Sequence, residues 1–141
     1  MKKLFGLGLA LLCLTACSSD DDNASAINLD NLTKKWYNIS YTVAGQTVPY
    51  DGNPAAACGK DFTQFEANGV LRKSDITDCQ NDAVVTTGTY AYANEDGTTT
   101  LSTAIGGTTT AYKVIKLNAD ELQLERVNSN PLTIEVYKST P

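Results

Sequence analysis

From residue 36 to the C-terminus, turn residues recur at short intervals, and the stretches between them are rich in Thr, Val, Tyr and Ile. That is the composition of β-strands, whose branched and aromatic side chains suit a pleated, half-buried surface. Eight segments can be read: 36–43, 62–66, 70–75, 84–93, 98–105, 108–117, 121–127 and 132–138. Asn68-Gly69, Asn94-Glu95-Asp96-Gly97, Gly106-Gly107, Asn118-Ala119-Asp120 and Asn128-Ser129-Asn130-Pro131 punctuate them. An Asn-Gly pair between strands is the strongest short-range hairpin signal. One connection is long, 44–60, and carries Gly45, Pro49, Gly52, Asn53 and Pro54.

The residue alternation fits sheets with one wet and one dry face. In 121–127, Leu122 and Leu124 fall on one face while Glu121, Gln123 and Glu125 fall on the other. Segment 84–93 puts Gly88, Tyr90 and Tyr92 together, and 98–105 groups Thr99, Leu101, Thr103 and Ile105. Segment 108–117 breaks the rule: Tyr112 and Val114 share a face, but Ile115 and Leu117 fall on the other. An extra residue bulged out of the strand would restore it. Ahead of the first strand, Asn28 is placed to cap a helical turn over 29–33. Eight strands in hairpin succession would expose two unpaired edges, which proteins avoid. Closure into an antiparallel up-and-down barrel removes both. The expected fold is therefore all-β, an eight-stranded barrel preceded by a short helical turn. An eight-stranded barrel is just wide enough to be filled by side chains or to hold one small ligand.

The N-terminus has a different character. Met1-Lys2-Lys3 precedes an uncharged apolar run over 4–14 and then Thr15-Ala16-Cys17. A basic start, an apolar run and a small-residue cleavage site make a secretory signal. The run is too short for a transmembrane helix, which needs about 20 residues. Leu14-Thr15-Ala16-Cys17 resembles the lipobox of bacterial lipoproteins. The resemblance implies cleavage before Cys17, acylation of its thiol and amine, and anchoring through two or more acyl chains. An ordinary signal peptide with a chance cysteine is the alternative. Ser18-Ser19-Asp20-Asp21-Asp22-Asn23 follows. It resembles the outer-membrane sorting and surface-export region of Bacteroidetes lipoproteins, and reads equally as a solvated acidic linker. The expected organisation is a signal over 1–16, a lipidated tether over 17–28 and a barrel domain over 29–141, on an outer-membrane lipoprotein facing the cell surface or the periplasm.

Removal of 1–16 takes Lys2 and Lys3 away, so the net charge falls from −5 to −7. An acidic surface argues against nucleic acid and anionic lipid as partners. Of four cysteines, Cys13 leaves with the signal and Cys17 carries lipid, which leaves Cys58 and Cys79. Outside the cytoplasm such a pair is most simply a disulfide. Metal binding is the rival, and it needs further ligands in a chain without histidine.

Leu32, Trp36, Cys58 and Cys79, Lys60-Asp61-Phe62 with Phe65 and Gly69, Gly88 with Tyr90, and the Tyr112/Leu117/Leu122/Leu124 pattern are similar to the small lipocalin-like lipoprotein domains of Bacteroidetes. The resemblance covers about residues 29–138. Lipocalins usually show glycine two residues before the first-strand tryptophan, and here Lys34 stands there. The resemblance implies that Trp36 plugs the closed end, that loop 44–60 is a lid, and that a small apolar ligand binds in the barrel mouth. Candidate lining residues are Trp36, Tyr90, Tyr92, Leu101, Tyr112 and Leu124, which could equally fill the core.

The rival to a ligand barrel is a non-enzymatic interaction module with a filled barrel. Tyr50 and the Gly/Pro-rich loop would meet an envelope protein or glycan. Catalysis is not expected, since histidine, the commonest general base, is missing. Asp75 with Asp78, and Asp61 with Glu66, are the carboxylate pairs that could be nominated. No cofactor or metal is expected. Asp20-Asp21-Asp22 sits on a tether without a preformed calcium cage.

Overall fold

The computed structural model describes residues 27–50, 59–76 and 84–141. Nine strands make one antiparallel sheet: β1 Lys35–Val43, β2 Gln46–Pro49, β3 Phe62–Phe65, β4 Val70–Asp75, β5 Val84–Glu95, β6 Thr98–Ile105, β7 Thr108–Leu117, β8 Glu121–Arg126 and β9 Thr133–Lys138. β1 also pairs with β9, from Tyr37↔Lys138 to Val43↔Thr133, and this closes the ring. The ring has eight members, β1 and β3 to β9. One edge of β1 is shared: Lys35–Tyr37 pairs with β3, and Ser40–Val43 pairs with β2. No helix among the described residues is long and apolar enough to cross a membrane.

β2 corrects the expectation of one long loop over 44–60. Ala44 and Gly45 both have positive φ, 51° and 80°, between the paired residues Val43 and Gln46. Two successive left-handed residues make the turn whose twist matches a tight hairpin. Asp96-Gly97 and Gly106-Gly107 are built the same way. β5 therefore runs on to Glu95, and Asn94-Glu95 belongs to the strand rather than the turn. Before β1, Leu29–Asn31 is a single 3₁₀ turn, capped by the Asn28 side chain, which accepts from the Asp30 amide at 2.9 Å.

Two register shifts set which residues face inward. The β7–β8 ladder slips between Val114 and Lys116. Ile115 is thereby turned out, while Val114 and Leu117 are both buried. The β1–β9 ladder slips between Asn38 and Ser40, so Tyr41 lies opposite Glu135. At Gly88 on β5, an added Cβ would fall 2.1 Å from the Ala104 carbonyl oxygen and 2.6 Å from Ile105 Cγ1. Only glycine lets β5 and β6 approach so closely there.

The apolar core fills one end of the barrel. Trp36 is wholly buried there with Leu32, Leu71, Leu101 and Leu122. Its indole Nε1 donates to the Leu32 carbonyl at 3.0 Å, so the one polar atom of the ring is satisfied. Lys34 lies over the indole, Nζ 5.3 Å from the ring centroid, and donates to the Ala119 carbonyl at 2.9 Å. The residue in the usual glycine position thus laces the 3₁₀ turn and the β7–β8 turn across the base. Burial of each such large side chain contributes about 1.5–3 kcal/mol.

Candidate ligand cavity

The other half of the barrel is hollow and polar. A cavity of about 290 Å³ is lined by residues of β1, β3, β4, β5, β6, β8 and β9, with Tyr50 beyond β2. A second lobe of about 210 Å³ continues it toward the core. The two share Thr63, Lys73, Ile105, Arg126 and Tyr137 as a waist. Such volumes lie at or below the small end of known ligand pockets.

β9 explains why the wall is polar. Its sequence alternates Thr133, Glu135, Tyr137 with Ile134, Val136. A reading that sends aliphatic residues inward would bury Ile134 and Val136. The barrel does the reverse: Glu135 is 4% exposed and Tyr137 5%. A buried carboxylate needs partners, and Glu135 has several. Arg126 Nη2 donates to it at 2.6 Å, and the hydroxyls of Tyr137 and, at 3.5 Å, Tyr112 donate as well. Arg126 and Tyr112 arrive together because β7 and β8 pair them in register. Burial, then the Glu135 charge, pushes the Tyr112 phenol up to about 12 and Tyr137 well above its ordinary value. Both stay protonated, and both give their proton to Glu135.

The mouth repeats the pattern. The Tyr50 hydroxyl donates to Asp61 Oδ2 at 2.7 Å, and the Ile76 amide donates to Asp61 Oδ1 at 2.7 Å. Burial and that bond to Asp61 raise the Tyr50 phenol well above its ordinary range. The Tyr50 ring meets Tyr41 edge-on at 5.6 Å. Tyr50 is therefore a half-buried wall residue rather than the exposed contact expected of it; residues 51–58 of that loop lie outside the described residues. Two buried polar side-chain atoms on the wall, Asn38 Oδ1 and Ser74 Oγ, have no hydrogen-bond partner. Buried polar atoms are nearly always paired.

Of the six candidate lining residues, the structure places only Tyr112 and Leu124 on the wall, both in the smaller lobe. Trp36 and Leu101 belong to the packed half. Tyr90 is held away from the cavity, its ring edge-on to Phe65 at 5.0 Å and its hydroxyl donating to the Glu66 carbonyl at 2.7 Å. Tyr92 is 54% exposed, because β5 outruns the covered part of the sheet. The nominated pair Asp61 and Glu66 is not a pair: Asp61 lines the cavity, whereas Glu66 binds Arg72 at 2.6 Å outside it. Cys17, Cys58, Cys79 and Asp78 lie outside the described residues. Asn38, Lys73, Arg126 and Glu135 are wall residues that the sequence pattern did not single out. The one available signal was the charge of Glu135 between two aliphatic neighbours.

With the ring and its hollow half established, comparison with known proteins is informative. The model of the lipocalin-like domain matches residues 32–124, about two-thirds of the chain and nearly all of β1 through β8. The chain belongs to the lipocalin-like domain family. A crystal structure of a lipocalin-like protein from Bacteroides uniformis superposes with a TM-score of 0.59 at 16% identity. The superposition covers 77% of this chain and 98% of that one. At such identity the likeness speaks for the fold. Comparison with curated proteins gives no match. In this lipocalin-like chain, β9 lies beyond the matched residues, yet it supplies Glu135 and Tyr137 to the cavity.

Proposed function

We propose that this lipocalin-like domain binds a small polar molecule in its barrel mouth, without catalysing a reaction on it. The observation that carries the reading is the cavity wall: about 290 Å³ of space bounded by Glu135, Asp61, Arg126 and the unpartnered Asn38 Oδ1. An apolar ligand would strip water from this wall and leave Asn38 Oδ1 without a partner, at about 1–3 kcal/mol. The polarity of the wall thus moves the reading from the apolar ligand implied by resemblance to a polar one. The test is native mass spectrometry of protein purified from the envelope, with thermal-shift screening of small polar metabolites. A retained or stabilising small molecule is expected, and the Thr63→Leu variant, which narrows the waist, should lose it. If no small molecule binds, and Thr63→Leu simply raises stability, the barrel is a scaffold for exposed contacts instead.

We also propose that the domain is tethered to the outer membrane through acylated Cys17, and that Cys58 and Cys79 form a disulfide. The tether rests on the signal and lipobox-like segment. The disulfide rests on Cys58 and Cys79 being the two cysteines left in an exported, lipidated chain. Labelled palmitate should enter the protein and be lost in Cys17→Ala. Reduction should add two hydrogens to the intact mass, and free thiols in unreduced protein would refute the pairing.

A further inference from the structure

The cavity separates its charges. Residues that line only the larger lobe include three carboxylates, Asp61, Asp75 and Glu135, with the rings of Tyr41 and Tyr50, and no Lys or Arg. The two cations, Lys73 and Arg126, stand at the waist. They come from β4 and β8, which are opposite one another in an eight-membered ring. Residues that line only the smaller lobe carry no charge: Phe65, Leu71, Tyr112 and Leu124, with threonines.

Resting on the reading of the barrel as a polar ligand site, we propose that it takes a small zwitterion: an α-amino acid, or a close relative, with an apolar side chain. Its ammonium sits in the larger lobe, its carboxylate at the waist and its side chain in the smaller lobe. The larger lobe is a set of acceptors. The Tyr50 proton is given to Asp61 and the Tyr137 proton to Glu135, so these phenols turn lone pairs to a ligand. Asn38, 9% exposed, adds an Oδ1 with no donor. An ammonium brings three donors and no acceptor, and aromatic faces favour a cation. The waist is a set of donors. Lys73 makes no ion pair among the described residues, and Arg126 engages Glu135 through Nη2 with donors to spare. Asp75 is likewise without an ion pair among the described residues, although it stands two residues from Lys73 and on the same wall. A simple carboxylic acid would leave Asp75 without a counter-charge. A simple amine would meet Lys73 and Arg126 unshielded. A neutral polyol would leave Lys73 without a counter-charge.

The test is isothermal titration of the purified protein with L-leucine and L-phenylalanine. The comparison probes are N-acetyl-L-phenylalanine, which lacks the cation, L-phenylalanine amide, which lacks the anion, glucose and laurate. Saturable binding of a free amino acid is expected, weakened about tenfold to a hundredfold by either block, the loss of one charged hydrogen bond. Asp75→Asn should weaken the free acid and the amide but not the N-acetyl form. Lys73→Met should weaken the free acid and the N-acetyl form but not the amide. Both side chains are exposed and without ion pairs among the described residues, so unchanged melting temperatures will show that the variants fold. Equal binding of blocked and free forms overturns the proposal. Binding of glucose or laurate alone overturns it and leaves the ligand-barrel reading standing. Binding of none of the six probes overturns it too, and if a wide metabolite screen is also blank the ligand-barrel reading falls with it.

Discussion

The two halves of this barrel are made from the same strands and obey opposite rules. In the base, aliphatic and aromatic residues point inward and cluster around the wholly buried Trp36. In the mouth, Asn38, Asp61, Thr63 and Glu135 are buried, while Ile134 and Val136 on β9 are only partly covered. β1 carries both rules within nine residues, passing from Trp36 to Asn38 and then, through a register shift, to Tyr41. Apolar burial is concentrated in the base, and open polar space in the mouth. A packed apolar base closes the ring, and the polar groups above it pair with one another along the wall of an open space.

Substitutions should divide along that line. The largest effect is expected at the base. Trp36→Ala removes a fully buried ring and should cost about 3–5 kcal/mol in chemical denaturation. A loss below about 1 kcal/mol would mean that the base is not packed as described. Next comes the hub of the mouth. Glu135→Leu leaves the buried Tyr137 hydroxyl without its acceptor, which costs about 1–3 kcal/mol. The double variant Glu135→Leu/Tyr137→Phe should recover much of that loss, because the stranded Tyr137 hydroxyl is then gone too.

A smaller effect separates the halves by pH. At the base rim, Glu121 is held down to about 2 by hydrogen bonds from Lys138, Lys116 and Gln123. Its folded value lies below its ordinary 4.5, so its contribution is present above that pH and is lost as pH falls toward 2. In the mouth, Tyr112 is raised from 10.0 to about 12, so its contribution is present below pH 10 and is lost as pH climbs through 12. Glu121→Gln should flatten the acid limb of a stability–pH profile, and Tyr112→Phe should soften the alkaline limb. If each variant altered the other limb, the division would be broken. The smallest effect on stability belongs to Lys73→Met and Asp75→Asn, within about 0.5 kcal/mol of the parent in chemical denaturation.

Much of the ring was legible in the residues. Asn68-Gly69 and the Gly106-Gly107 pair mark their hairpins, and the broken alternation of Val114, Ile115 and Leu117 marks a bulge. The Ala44-Gly45 hairpin was not legible, since alanine rarely accepts a left-handed φ and so gives no turn signal. The base followed the usual rule that apolar residues go inward. The mouth inverted it, which is why Tyr90, Tyr92 and Leu101 were drawn toward a cavity they do not line, and why Asn38, Arg126 and Glu135 were not singled out. Lys34 shows the same limit at the base, where a departure from the family pattern is a working part of the closure.

The barrel has one packed end and one hollow, polar end. Nuclear Overhauser transfer from water to interior protons tests this directly. Transfer is expected to the Asn38 side-chain amide and the Tyr137 ring, and none to the indole N–H of Trp36, the sole tryptophan. Transfer at Trp36, or silence at both Asn38 and Tyr137, would contradict it.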